Sequence, residues 1–133
     1  MDRESTRWNE GFLGFIGAEL LSDDPDDARA RVAVADHLKQ PFGLVHGGVY
    51  STLVEGLCSN LTAVAVLGEG LVPSGQSQAT SFLRPISEGH VNVTARARHR
   101  GRTSWIWDAE VSDDEGRLCA LSRMTVAVRP ARD

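Results

Sequence analysis

Within sixteen residues the chain gathers a side-chain amide, an imidazole, two adjoining glycines and a carboxylate, in Gln40-Pro-Phe-Gly-Leu-Val-His46-Gly47-Gly48 and then Glu55. Paired glycines feeding a helix present backbone N–H groups that no helical carbonyl accepts, at the positive end of the helix dipole. Such a turn cradles an oxyanion. Glu55 follows Gly47 by eight residues, about two helical turns further along. A carboxylate among Leu53, Val54 and Leu57 on a buried helix is costly to desolvate, so its presence needs a reason. This set suits acyl transfer, with Glu55 as general base or nucleophile and the Gly47 amide holding a carbonyl oxygen. The plainer alternatives stay open at this point: an interfacial acid at Glu55, a positive-φ turn at Gly47, a structural hydrogen-bonder at His46 and a surface residue at Gln40. Gly48 reads as conformational. Ser59 lies at i+4 from Glu55 on the same helix face, to hold the carboxylate or the water, or to allow close packing. No histidine–acid pair is arranged to make it a nucleophile.

The elements that must position these residues follow from hydrophobic spacing. Gly48 to Leu67 is the one long helical candidate, with Val49, Leu53, Leu57, Leu61 and Val64 at three- and four-residue intervals. Val54, Ala65 and Val66 widen the stripe, so the helix reads as wrapped, and Gly68 and Gly70 stop it. Before it come a short helical turn within Asn9 to Phe15 and two strands, Ile16 to Leu21 and Ala28 to Ala35, joined by Ser22-Asp-Asp-Pro-Asp-Asp27. After it come strands at Gln76 to Leu83, His90 to Arg98, Ser104 to Ser112 and Leu118 to Val128. Val91, Val93, Ala95 and Ala97 alternate with Asn92, Thr94, Arg96 and Arg98. The predicted fold class is α+β, a curled antiparallel sheet around one long helix, in a single domain over residues 1–133.

Composition narrows the function classes. A chain of 133 residues with 41% hydrophobic and 24% charged residues matches a globular domain with a real core. Its net charge of −4 argues against nucleic-acid binding. Nine of the 14 basic residues fall from Arg84 onward, a distribution suited to a phosphorylated small molecule. Arg84, Arg102, Thr103 and Arg132 are the candidates for its phosphates, against solvated charges on strands or tail. Trp105 and Trp107 read as core or interface packing. Cys58 and Cys119 lack metal-like spacing and read as buried thiols. The four histidines are dispersed, so no metal or redox cofactor is implied. Met1 to Glu10 is polar and charged, unlike a signal peptide, and Leu53 to Leu67 reads as too polar and short for a bilayer, so a cytoplasmic location is expected.

The element order, with His-Gly-Gly opening the single long helix, resembles the hotdog-fold thioesterases from about Gly14 to Arg129. More narrowly it is similar to the branch containing the phenylacetate-pathway thioesterase and the 4-hydroxybenzoyl-CoA thioesterase of the Arthrobacter type. Gln40, Val45-His46-Gly47-Gly48, Glu55, Ser59 and Phe82-Leu83-Arg84-Pro85 carry the resemblance. It implies an acyl-CoA substrate, no cofactor, and a homo-oligomer with its active site between protomers, a dimer at least and a tetramer as the expected form. It also implies roles: Gly47 as oxyanion donor, Glu55 as base or nucleophile, Gln40 and His46 orienting the thioester or water, and Arg84 and Thr103 near coenzyme A. Glutamate at the acidic position matches the aryl-CoA enzymes, whereas the phenylacetate-pathway enzymes use Asp. Leu57 and Cys58 depart from the pattern, so the acyl pocket does not carry over. Two alternatives stand beside this reading. An acyl-CoA sensor on the same fold would need no acid at Glu55, and the eight residues before Asn9 are too few for a DNA-binding segment. A proofreading thioesterase acting on carrier-protein thioesters would use identical chemistry.

Overall fold

A computed structural model describes residues 7–132. Met1 to Thr6, part of the polar N-terminal stretch, and Asp133 lie outside the described residues. In chain order the elements are α1 (Phe12–Phe15), β1 (Glu19–Ser22), β2 (Ala28–Ala33), α2 (Gly47–Val66), β3 (Leu71–Phe82), β4 (His90–Arg100), β5 (Ser104–Ser112) and β6 (Leu118–Pro130). The six strands form one antiparallel sheet in the order β1-β2-β4-β5-β6-β3. The sheet curls around α2, which packs against β2, β3, β4, β5 and β6.

Strand alternation supplies the inner wall. Ala28, Ala30 and Val32 of β2 are buried while Arg29 is exposed, and Val91, Val93, Ala95 and Ala97 of β4 are buried between outward polar residues. Against this wall α2 presents Leu53, Val54 and Leu57, all at 0% exposure. Burying each leucine side chain contributes about 1.5–3 kcal/mol. Thr62 enters this core with its bonds satisfied: it donates to the Cys58 carbonyl at 2.8 Å and accepts from Trp107 Nε1 at 3.0 Å. Trp105 and Trp107 stack with centroids 6.0 Å apart and are core residues, and both cysteines are free and buried.

Several boundaries differ from the expectation. The first strand begins at Glu19, because Gly17 at φ +78° turns the chain after α1 and the Ala18 amide donates back to Leu13. The strand after the helix begins at Leu71 rather than Gln76. It is an edge strand paired only with β6, so Pro73 is tolerated, and a bulge between Gly75 and Ser77 absorbs the irregularity. A 3₁₀ turn, Leu67–Glu69, ends the helix, with Gly70 left-handed at φ +75°. By length and composition Gly47–Glu69 is apolar enough to cross a bilayer, contrary to the sequence expectation for this stretch. Its packing against five strands makes it the core helix.

Candidate active site

The oxyanion turn is built by the segment before α2. The Val45 amide donates to Ile86 O at 2.8 Å and the His46 amide to Leu38 O at 2.9 Å. These bonds hold His46 extended (φ −61°, ψ 133°), so that Gly47 is the first helical residue. Helix geometry leaves the Gly47 and Gly48 amides without an intrahelical carbonyl, and the His46 side chain does not cap them. The His46 ring is exposed, and a Cβ on Gly48 would stand 3.8 Å from its Nδ1. Gln40 shapes the preceding loop, its Oε1 accepting the Phe42 amide while Gly43 turns at φ +86°.

Gly47 has a packing requirement that its sequence neighbours do not reveal. A Cβ there would lie 2.9 Å from Cε1 of Phe82, the last residue of β3. That ring also meets Tyr50 at 5.9 Å between centroids, yet remains 55% exposed beside the turn. Burial first, and then the nearby Cys119, pushes the Tyr50 hydroxyl pKa up to about 12, so it stays protonated. Phe82 was visible in sequence only as part of Phe-Leu-Arg-Pro, with nothing to mark it as a neighbour of the glycine turn.

Glu55 corrects one expectation: it is exposed, not buried. The sheet covers only part of the helix girth. Gly48, Ser51, Thr52 and Glu55 line an open face, flanked by β3 on one side and α1 on the other. The Glu55 side chain reaches β3 at its bulge, where a Cβ on Gly75 would stand 3.6 Å from Oε1. Four residues earlier, Gln78 Nε2 donates to the Ser51 carbonyl at 3.1 Å, and Thr80 donates to Gln78 Oε1 at 2.8 Å. This brace fixes the helical turn that precedes Glu55, and nothing in the sequence pattern announced it. Ser59 Oγ is buried without a hydrogen-bond partner, so its hydroxyl does not hold the Glu55 carboxylate here. Burial, followed by the Glu55 charge, raises the pKa of the Cys58 thiol and keeps it inert.

The expected residues do not all converge in one chain. Glu55 lies about 12 Å along the helix from Gly47, too far for both to touch one carbonyl carbon. Arg84 follows Phe82 at the N-terminal end of α2. Arg102 lies beside Ala65 and Val66 at the C-terminal end, and Thr103 follows it. A 20-residue helix separates those ends by about 30 Å. Thr103 O accepts the Val128 amide at 2.9 Å, tying this turn to the end of β6, while Arg132 is exposed just beyond it.

Against known proteins, residues 42–120 match the Thioesterase superfamily. The chain is 33% identical over 116 residues to a 1,4-dihydroxy-2-naphthoyl-CoA hydrolase of Escherichia coli, covering 87% of this chain and 85% of that protein. It is 35% identical over 113 residues to the proofreading thioesterase EntH of Cronobacter turicensis, covering 85% and 82%. The crystal structure of a mutant thioesterase from Pseudomonas aeruginosa superposes with a TM-score of 0.91 at 30% identity, covering 98% of this chain and 96% of that one. The open helix face, the bare glycine amides and these matches lead to one assignment: the chain belongs to the thioesterase superfamily, as a hotdog-fold thioester hydrolase.

Proposed function

We propose that the protein hydrolyses an aromatic acyl-CoA thioester to the free acid and CoA, at a site shared by two protomers. The observation that carries this reading is the separation of Glu55 from the Gly47 amide along one helix, beside a strand edge left unpaired among the described residues. A 12-residue edge strand is a template for pairing with a second chain. Glu55 sits against Gly75 of β3 and Gly47 against Phe82. A two-fold axis near Gln78 and Ala79 would pair β3 antiparallel with its copy and bring Gly75 beside Phe82 of the partner subunit. Glu55 of each chain then meets the glycine turn of the other. The same axis brings Arg84 near the partner's Pro73, whose neighbour on β6 is bonded to the Thr103 turn. One register thus supports both the catalytic pair and a phosphate site drawing on Arg84 from one chain and Arg102, Thr103 and Arg132 from the other.

In this arrangement the thioester oxygen accepts from the Gly47 amide, a donor worth about 10²–10³ in rate. Glu55 takes a proton from the attacking water, or attacks the carbonyl itself to give an anhydride that water then opens. Collapse of the tetrahedral intermediate breaks the C–S bond, and the thiolate leaves as CoA. Single turnover in ¹⁸O-water detects an anhydride that water opens at the Glu55 carbonyl carbon, since that route alone leaves label on Glu55. His46 and Gln40 border the turn and orient the carbonyl. The aromatic acyl group is supported by glutamate at the acidic position and by the dihydroxynaphthoyl-CoA relative. The 4-hydroxybenzoyl-CoA branch, a tetramer built of two such dimers, a single-domain chain and a cytoplasmic setting belong to the same proposal.

Complementation tests the shared site. Glu55→Gln and Gly47→Pro are each expected to abolish thiol release. Co-expression should restore about a quarter of the parent activity, because half the dimers are mixed and each mixed dimer keeps one intact site of two. A mixture as inactive as its parts would place the whole site in one chain and overturn the proposal.

A further inference from the structure

On the flank of α2 away from β3 there is a cavity of about 330 Å³, lined by Phe12, Phe15, Ile16, His37, Val49 and Thr52. Leu38, Lys39, His46 and Gly48 complete its wall, so it opens beside the oxyanion turn. Three separate stretches of chain build it, and each is held in place. Leu13 anchors α1 by filling the notch left by Gly56, where a Cβ would lie 2.7 Å from both Leu13 methyl carbons. With Leu13 turned inward, Phe12 and Phe15 turn outward at 60% and 75% exposure. Their rings lie 6.4 Å apart and nearly parallel, and His37 meets Phe15 edge-on at 6.4 Å. The Asp36–Leu38 turn that carries His37 is pinned by buried Leu38, whose carbonyl accepts the His46 amide. Exposed aromatic rings on an anchored turn are unfavourable in water and favourable against a flat apolar ligand.

We infer that this cavity receives the acyl group, and that Phe12, Phe15 and His37 set its preference for a ring-bearing acyl chain. The inference rests on the thioesterase reading and deepens it. The protomer that binds the carbonyl oxygen through Gly47 also seats the acyl ring, while the partner subunit brings the carboxylate. With the carbonyl at Gly47, the cavity mouth at Gly48 lies one residue further along the helix, and the acyl substituent enters there. Pantetheine then leaves along β3, past Phe82, toward Arg84. The open helix face divides the two halves of the substrate.

The test compares kcat/KM for acetyl-, hexanoyl-, benzoyl- and 2-naphthoyl-CoA in the parent, Phe15→Ala and Phe15→Trp. An apolar pocket loses about 10–100-fold in discrimination when part of its wall is removed. Phe15→Ala should lower the benzoyl-to-acetyl ratio of kcat/KM by about that much, chiefly through KM, and Phe15→Trp should penalise naphthoyl more than benzoyl. Equal changes for all four substrates, or none, would overturn the acyl assignment. A fall in oligomer size on gel filtration with the ratio unchanged would also overturn it, making Phe15 a subunit contact. A parent enzyme that hydrolyses none of the four would instead remove the underlying reading.

Discussion

The two sides of α2 do different work. Its closed side sets Leu53, Val54, Leu57 and Leu61 against the sheet, where each is nearly or fully buried, and its Thr62 is bonded at both ends. Its open side carries Gly48, Ser51, Thr52 and Glu55, with bare amides at one end. On the closed side the buried Thr62 hydroxyl is satisfied by the chain itself, which is what stability demands. The open side leaves donors and an acid for groups that arrive from elsewhere. One helix thus separates folding from chemistry by rotation about its own axis.

Substitutions on either side can sharpen or break that division. The largest effect is expected at Gly47, on the open side. Gly47→Pro and Gly47→Ala both add a Cβ facing Phe82, but only proline removes the N–H. The first helical position accepts proline, and His46 already holds the extended conformation that must precede it. The alanine variant should therefore exceed the proline variant in kcat by about 10²–10³, with equal melting temperatures. Equal activity in the two would remove the amide from the mechanism. Next comes Leu57→Ala on the closed side, expected to cost about 2–5 kcal/mol in urea unfolding. Its folded fraction should keep the parent kcat, and a proportional loss of kcat would show that the two sides are coupled. The smallest effect is expected from Thr62→Val, which strands the Trp107 N–H and the Cys58 carbonyl bond at a cost of about 1–3 kcal/mol. Substrate preference should be unmoved.

The glycine turn, the acid two helical turns beyond it, the central helix and the order of the later strands were all legible in the residues. Each is a local pattern: a spacing, an alternation or a turn dipeptide. The misreadings have local causes too. The strand after the helix begins at Leu71, earlier than expected, since sequence does not say which strand will lie at an edge and so tolerate Pro73. Glu55 was read as buried because its neighbours Leu53, Val54 and Leu57 are apolar, yet those side chains point to the sheet while Glu55 points away from it.

By itself, the sequence determined the helix, the strand periodicity and the chemical types that gather around residues 40–59, because backbone geometry and hydrophobic spacing act between near neighbours. Only the tertiary structure decided which helix face stays open, that Phe82 fills the space beside Gly47, that Gln78 braces Ser51, and that Phe12, Phe15 and His37 enclose a cavity. The distance between Glu55 and Gly47, by contrast, was already fixed by their eight-residue spacing on one helix. Contacts between distant segments depend on how curled strands and an anchored turn close over a helix, and no local pattern encodes that packing.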